Sequence, residues 1–175
     1  MHYLSNWGYH PFAVDIPLDQ TNGQEAVQWL RKLIAALQLT NLVIISPSMS
    51  GRMTLLYIIQ SKKHRKLIHG FVLIAPTRTD QFEAKEYKEI KIPTLIIHEK
   101  NDTKFQSAFE KLQQIPTSKI LLIQNASHES YIEKSIEFHN ELRQFLYNIY
   151  RPIYQNTFVF NRTKYNFKRT RKTDT

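Results

Sequence analysis

Three side chains of this sequence have the types and the order needed for nucleophilic catalysis: a serine, an aspartate and a histidine. Ser48 directly follows the apolar run 42–45, and Asp102 and His128 each follow a later apolar run. A serine hydroxyl is a weak nucleophile until a nearby base removes its proton, and an acid can hold that base in the correct tautomer. The sequence therefore predicts Ser48 as the nucleophile, His128 as the base and Asp102 as the acid that orients His128.

Each of the three residues alone has an ordinary structural interpretation. Serine is a favoured residue at the start of a helix, so Ser48 could simply cap the helix that follows it. Asp102 could be a turn residue of a polar loop, and His128 could be a loop histidine on the surface. Their joint order, each directly after a predicted strand, favours the catalytic interpretation.

The local context of Ser48 also indicates how a negative charge could be stabilised. The segment 46–51 reads Ser-Pro-Ser-Met-Ser-Gly and leads into the helical pattern 52–60. This strand, tight turn and helix resemble the G-x-S-x-G nucleophile elbow, although serines replace both glycines. The backbone amide of Met49, at the N-terminal end of the helix, is the predicted oxyanion donor.

The elements that must position these residues alternate regularly along the chain. Apolar runs predict strands at 11–17, 42–45, 68–75, 93–98 and 120–123, and helical periodicity predicts helices at 24–37, 53–59, 105–114 and 132–147. Strands that are apolar throughout are buried on both faces. We therefore expect an α/β fold with a parallel sheet, helices on both faces, and functional groups at the carboxyl ends of the strands.

Composition separates a near-neutral body from a basic tail. The chain has 175 residues and a net charge of +9. Residues 151–175 contain seven Lys or Arg and one Asp, which leaves only +3 for residues 1–150. We expect one domain over 1–150 and a disordered tail over 151–175. The alternative for the aromatic and basic tail is a nuclear-localisation or nucleic-acid patch.

Several classes of site and partner are not predicted. The chain has no cysteine and only four glycines, no histidine pair has metal-ligand spacing, and no phosphate-binding glycine loop is present. We therefore expect no cofactor and no metal. Because the visible chain has neither a signal peptide nor an apolar run of about 18 to 20 residues, we expect a cytoplasmic protein without a membrane span.

The sequence resembles the α/β-hydrolase domain-containing protein 14 family from about residue 4 to residue 146. The resemblance rests on the motif 46–51, on Ile-Ala-Pro at 74–76, on 91–97, on Phe-Glu-Lys-Leu at 109–112, and on Ser127 and His128. It implies a serine hydrolase of α/β-hydrolase fold that acts on small acyl substrates through Ser48, Asp102 and His128. It also implies a minimal cap, and a transcription-related protein partner with a nuclear location as the alternative to the cytoplasm.

The resemblance also identifies what this chain lacks. Family members have further N-terminal strands, and the loop after one of them donates the second oxyanion amide. We therefore expect an incomplete hydrolase domain with Met49 as its one identifiable oxyanion donor. The alternative function is a catalytically compromised protein-interaction module.

Overall fold

A four-stranded parallel sheet forms the centre of the protein in the computed structural model, which describes residues 2–15, 23–60, 62–100 and 106–161. The sheet order follows the chain order. The strands are β1 (Leu42–Pro47), β2 (Ile68–Ile74), β3 (Thr94–Glu99) and β4 (Ser118–Ile123). Because all four run in the same direction, their carboxyl ends lie along one edge of the sheet.

Helices cover both faces of this sheet. In chain order they are α1 (His2–Asn6), α2 (Gly23–Ala36), α3 (Ser50–Gln60), α4 (Lys62–Arg65), α5 (Ala84–Lys88), α6 (Gln106–Leu112), α7 (Ser130–Glu133) and α8 (Ser135–Asn161). One core cluster joins α2, α3 and α6 to the sheet, and a second joins α8 and residues of α1 to the opposite face. The predicted α/β fold with helices on both faces is therefore confirmed.

The strands differ in burial according to their position in the sheet. Both faces of β2 and β3 are covered, and these strands are almost entirely buried. At the edge of the sheet, β1 is mostly half-buried. The expectation of burial on both faces is wrong for β4, where Lys119, Ile120 and Leu122 are exposed. An apolar run therefore located β4 correctly but overstated its burial.

The predicted strand at 11–17 is not found. Residues 11–15 form neither a strand nor a helix, and residues 16 and 17 lie outside the described part of the chain. Phe12 and Val14 are 62% and 40% exposed. A short apolar run becomes a strand only when a neighbouring strand satisfies its backbone groups, and Pro11 has no amide hydrogen to contribute.

The C-terminal helical pattern is divided differently from the prediction. The helix expected at 132–147 is two helices, because α7 ends at Glu133 and Lys134 has non-helical backbone angles. The second helix, α8, continues past residue 150 to Asn161. Residues 162–175 lie outside the described residues, so the disorder expected for the tail stays a prediction.

The connection between β2 and β3 is short. Its only helix is α5, which has five residues. This agrees with the minimal cap implied by the family resemblance. In the part of the chain that the structure describes, no helix combines the length and the apolar character needed to cross a membrane.

Candidate active site

The turn between β1 and α3 holds Ser48 in a strained backbone conformation. Its φ is 48°, in the left-handed region that costs a residue with a Cβ about 1–2 kcal/mol. Three backbone hydrogen bonds hold it there. The Ser48 amide donates to the carbonyl of Ile74 at 2.8 Å, and its own carbonyl accepts from Gly51 at 3.1 Å and Thr77 at 3.2 Å. The turn is therefore fixed both by its own helix and by the segment after β2.

Gly51 allows α3 to approach that segment closely. A Cβ built on Gly51 would lie 2.6 Å from the Cβ of Pro76, far inside normal contact distance. Any side chain at this position would push the start of α3 away from the loop after β2. The glycine that ends the motif 46–51 therefore has a packing explanation.

The side chain of Ser48 meets His128. The Nε2 atom of His128 lies 3.0 Å from the Oγ atom of Ser48, and both residues are half-buried. This is the distance at which an imidazole can accept the hydroxyl proton. The helix α3 begins two residues after Ser48, at Ser50.

The predicted acid, Asp102, falls within residues 101–105, which lie outside the described residues. The structure does describe both sides of this segment. Glu99 ends β3, the amide of Lys100 donates to the carbonyl of Ile123 at 2.9 Å, and α6 begins at Gln106. The segment thus starts at the edge of the sheet where Ser48 and His128 meet. The role of Asp102 stays a prediction.

Met49, whose amide is the predicted oxyanion donor, directly precedes the first residue of α3. Its side chain is 56% exposed. Backbone amides at a helix start have no partner within the helix, and the helix dipole gives this end a partial positive charge. The position of Met49 therefore suits the assigned role, which itself remains a prediction.

The helix α6 is attached to the segment after β2 by polar contacts. Lys111 donates to the carbonyl of Asp80 at 2.6 Å, and Ser107 donates to the Asp80 carboxylate at 3.2 Å. His98 of β3 is 2% exposed, and its ring stacks on Phe109 of α6 with centroids 4.7 Å apart. These contacts attach α6 to the loop after β2 and to the end of β3.

The segment that contains His128 is attached to α7 by solvent-exposed hydrogen bonds. Ser127 donates hydrogen bonds from its hydroxyl and, at 2.9 Å, from its amide to the carboxylate of Glu133. Both bonds lower the pKa of Glu133 below its ordinary value of 4.5, and the bond from the Ser127 hydroxyl has the larger effect. The negative charge of Glu133 therefore stabilises the turn into α7.

Two buried polar residues at this edge were not anticipated from the sequence. Glu99 is 1% exposed and Ser130 is fully buried, and the Ser130 hydroxyl donates to Glu99 at 2.5 Å. Glu99 was missed because a glutamate at the end of an apolar run normally indicates the start of a solvated loop. The sequence contained no signal that this glutamate would be covered.

Comparison with known proteins identifies relatives over most of the chain. Residues 20–151 match the family model of the alpha/beta hydrolase domain. The ABHD14B protein of Rattus norvegicus, named as a candidate protein-lysine deacylase, is 32% identical over 156 residues, which cover 83% of this chain and 73% of the relative. The ABHD14A protein of the same organism is 34% identical over 155 residues, covering 83% and 63% of the two chains.

Solved structures show the same fold at lower sequence identity. A CIB-like hydrolase of Thermoplasma acidophilum superposes with a TM-score of 0.66 at 23% identity, covering 81% of this chain and 68% of the other. The serine hydrolase CCSP0084 of Cycloclasticus zankles gives a TM-score of 0.67 at 16% identity, covering 82% and 84%. Together with the sequence relatives, these matches show that the chain belongs to the α/β-hydrolases and, among them, to the family of α/β-hydrolase domain-containing protein 14.

Proposed function

We propose that this α/β-hydrolase is a serine hydrolase of small acyl substrates, with Ser48 as the nucleophile, His128 as the base and Asp102 as the acid. The observation that carries the proposal is the 3.0 Å contact between His128 Nε2 and Ser48 Oγ, made by a serine with positive φ between a strand and a helix. This is the backbone context in which a nucleophilic serine is raised above the carboxyl edge of a sheet.

In the proposed reaction, the Ser48 Oγ attacks the acyl carbonyl carbon while His128 accepts the hydroxyl proton. The carbonyl oxygen becomes an oxyanion, which the amide of Met49 stabilises by a hydrogen bond. His128 then donates the proton to the leaving oxygen, sulfur or nitrogen, and the acyl group remains on Ser48 as an ester. A water molecule, deprotonated by His128, attacks this ester, and His128 returns the proton to the leaving Ser48 Oγ as the acid is released. Another nucleophile could take the acyl group in place of water, with the same return of the proton to Ser48.

The proposed substrates include acyl groups attached to lysine side chains of proteins. The name of the ABHD14B relative suggests this class. Two features of the site support it: Ser48 is half-buried rather than deeply enclosed, and the connection between β2 and β3 contains only the five-residue α5. A substrate carried on a protein needs such an accessible serine.

The transcription-related partner and the cytoplasmic or nuclear location are further proposals from the resemblance and composition.

Two substrates and two serine variants test the proposed function. We expect the purified chain to hydrolyse an activated acetyl ester and to release acetate from an N-acetyl-lysine peptide, and Ser48→Ala to abolish both activities. The matched control is Ser46→Ala, because Ser46 is also a serine of this motif but its buried hydroxyl has no hydrogen-bond partner among the described residues.

The control variant should retain the wild-type rates. Hydrolysis that survives Ser48→Ala would contradict the assigned nucleophile. A folded wild-type protein that hydrolyses neither substrate would favour the non-catalytic interaction module instead.

A further inference from the structure

A buried hydrogen bond connects the end of β3 to the segment that contains His128. The hydroxyl of Ser130 donates to Oε1 of Glu99 at 2.5 Å. Ser130 is the first residue of α7 and lies two residues after His128, whereas Glu99 is the last residue of β3. We propose that Glu99 and Ser130 are a positioning pair that holds His128 within reach of Ser48. This inference rests on the proposed function.

The burial of the pair indicates a role beyond stability. Glu99 is 1% exposed and Ser130 is fully buried. The second carboxylate oxygen of Glu99 is also buried and makes no hydrogen bond within the described residues. Burial of a carboxyl group in a protein interior is energetically unfavourable compared with burial of an apolar side chain. A glutamate in this place therefore weakens the core around it while supplying a strong acceptor for Ser130.

The position of the pair in the sheet explains what the acceptor does. Glu99 is paired with Ile123, the last residue of β4, and the chain leaves the sheet there on its way to His128. Through Ser130 the chain returns to Glu99, so both ends of the segment 124–129 are attached to neighbouring points of the sheet. The hydrogen bonds from Ser127 to Glu133 also attach this segment, but they are exposed. The Glu99–Ser130 bond is buried.

The pair acts on catalysis through His128, since its hydrogen bond joins Ser130 to Glu99 and does not reach Ser48. Loss of the bond would allow the segment 124–129 to shift relative to the sheet, and Nε2 of His128 would move away from Ser48 Oγ. A misplacement of about 1 Å in a reacting group can lower a rate about 100-fold. We therefore expect the loss to fall on kcat, because both side chains are buried and neither is exposed to a substrate in solution.

Three variants test this positioning role: Ser130→Ala, Glu99→Gln and the double variant. Ser130→Ala removes the donor and should lower kcat for the acetyl ester by about 10- to 100-fold, with KM changed by about twofold or less. Glu99→Gln retains an acceptor oxygen and should keep more activity than Ser130→Ala. In the double variant, the loss should not exceed that of Ser130→Ala, because both substitutions affect one bond.

The matched control is Thr94→Val, which removes a buried hydroxyl at the opposite end of the same strand. Thr94 is fully buried and its hydroxyl donates to the carbonyl of Ile92 at 2.8 Å. This variant should lose stability but keep the wild-type kcat when the rate is expressed per folded molecule. The folded fraction of every variant is measured by thermal unfolding.

The outcomes separate this inference from the proposed function. If the wild-type protein is active and both folded single variants keep its kcat, the positioning role is wrong while the proposed function stands. An equal loss of kcat in Thr94→Val would also overturn the role, since it would indicate a general effect of destabilisation. If Ser130→Ala does not fold, the kcat values of Glu99→Gln and Thr94→Val are compared. A lower kcat in Glu99→Gln supports the positioning role, and equal values overturn it. An inactive wild-type protein would overturn both proposals.

Discussion

The Nε2 atom of His128 lies 3.0 Å from the Oγ atom of Ser48, although 80 residues separate the two in the sequence. Ser48 follows β1 and His128 follows β4, which are the two outer strands of the sheet. Three strand spacings, about 14 Å, lie between these strands. The segment after β4 must therefore reach back across the sheet, and the precision of the contact depends on what holds that segment.

Substitution of the base tests this contact first. We expect His128→Gln to lower hydrolysis of the acetyl ester by about 10²–10⁴-fold, because the Ser48 hydroxyl loses its proton acceptor. The control is His139→Gln, since His139 is also half-buried but contacts the carbonyl of Ser135 within α8. The control should keep the wild-type rate per folded molecule. Equal losses in the two variants would show that the effect is structural.

Substitution of Gly51 tests whether the close packing of α3 against Pro76 is needed for activity. We expect Gly51→Ala to lower the free energy of unfolding by about 1–3 kcal/mol, because the new Cβ would overlap Pro76. It should also slow hydrolysis, since displacement of the start of α3 would move the Ser48 turn that directly precedes it. Gly23→Ala is the control, because its Cβ would meet only the flexible end of Leu56, at 3.1 Å. Urea unfolding curves and ester hydrolysis rates of the two variants check both statements.

The low pKa of Glu133 predicts a pH-dependent contribution to stability. Because the pKa is lower in the folded state than in the unfolded state, the stabilisation is present above the ordinary value of 4.5 and is lost as the pH falls through the folded value. We expect Glu133→Gln to lower the free energy of unfolding at pH 7, and the difference from wild type to narrow below pH 4.5. Urea titrations at several pH values measure this difference. A difference that is constant with pH would contradict the assignment, and exposed Glu137→Gln is the control.

Substitution of Asp102, which lies outside the described residues, tests the predicted acid. We expect Asp102→Asn to lower kcat by about 10⁴-fold, since an amide in this role would no longer stabilise the imidazolium form of His128. The control is the exposed Asp15→Asn. Kinetics of ester hydrolysis measure both. If Asp102→Asn keeps the wild-type kcat, the acid of the site is another residue.

The parts of the fold that depend on local pattern were predicted well. The strands β2 and β3 were recognisable because continuous apolar runs occur where both faces of a strand are covered. The approach of Ser48 and His128 was also predictable, since parallel strands bring the residues that follow them to one edge.

The features that depend on neighbours were not predictable. The apolar run at 11–15 is not a strand, because strand formation requires a pairing partner that the run itself does not specify. The burial of Glu99 and Ser130 likewise depends on β4, which pairs with β3 at Glu99, and on α7, whose first residue bonds to Glu99. A sequence pattern records the polarity of a residue, whereas its partner is decided by the folded structure.

Covalent labelling of the folded protein with a fluorophosphonate, followed by mass-spectrometric mapping of the modified residue, tests the central claim most directly. Such a reagent forms a bond with a serine only where a base activates the hydroxyl. We predict one adduct, on Ser48, which disappears in Ser48→Ala and persists in Ser46→Ala. An adduct on another residue, or a folded wild-type protein that is not modified, would contradict the account.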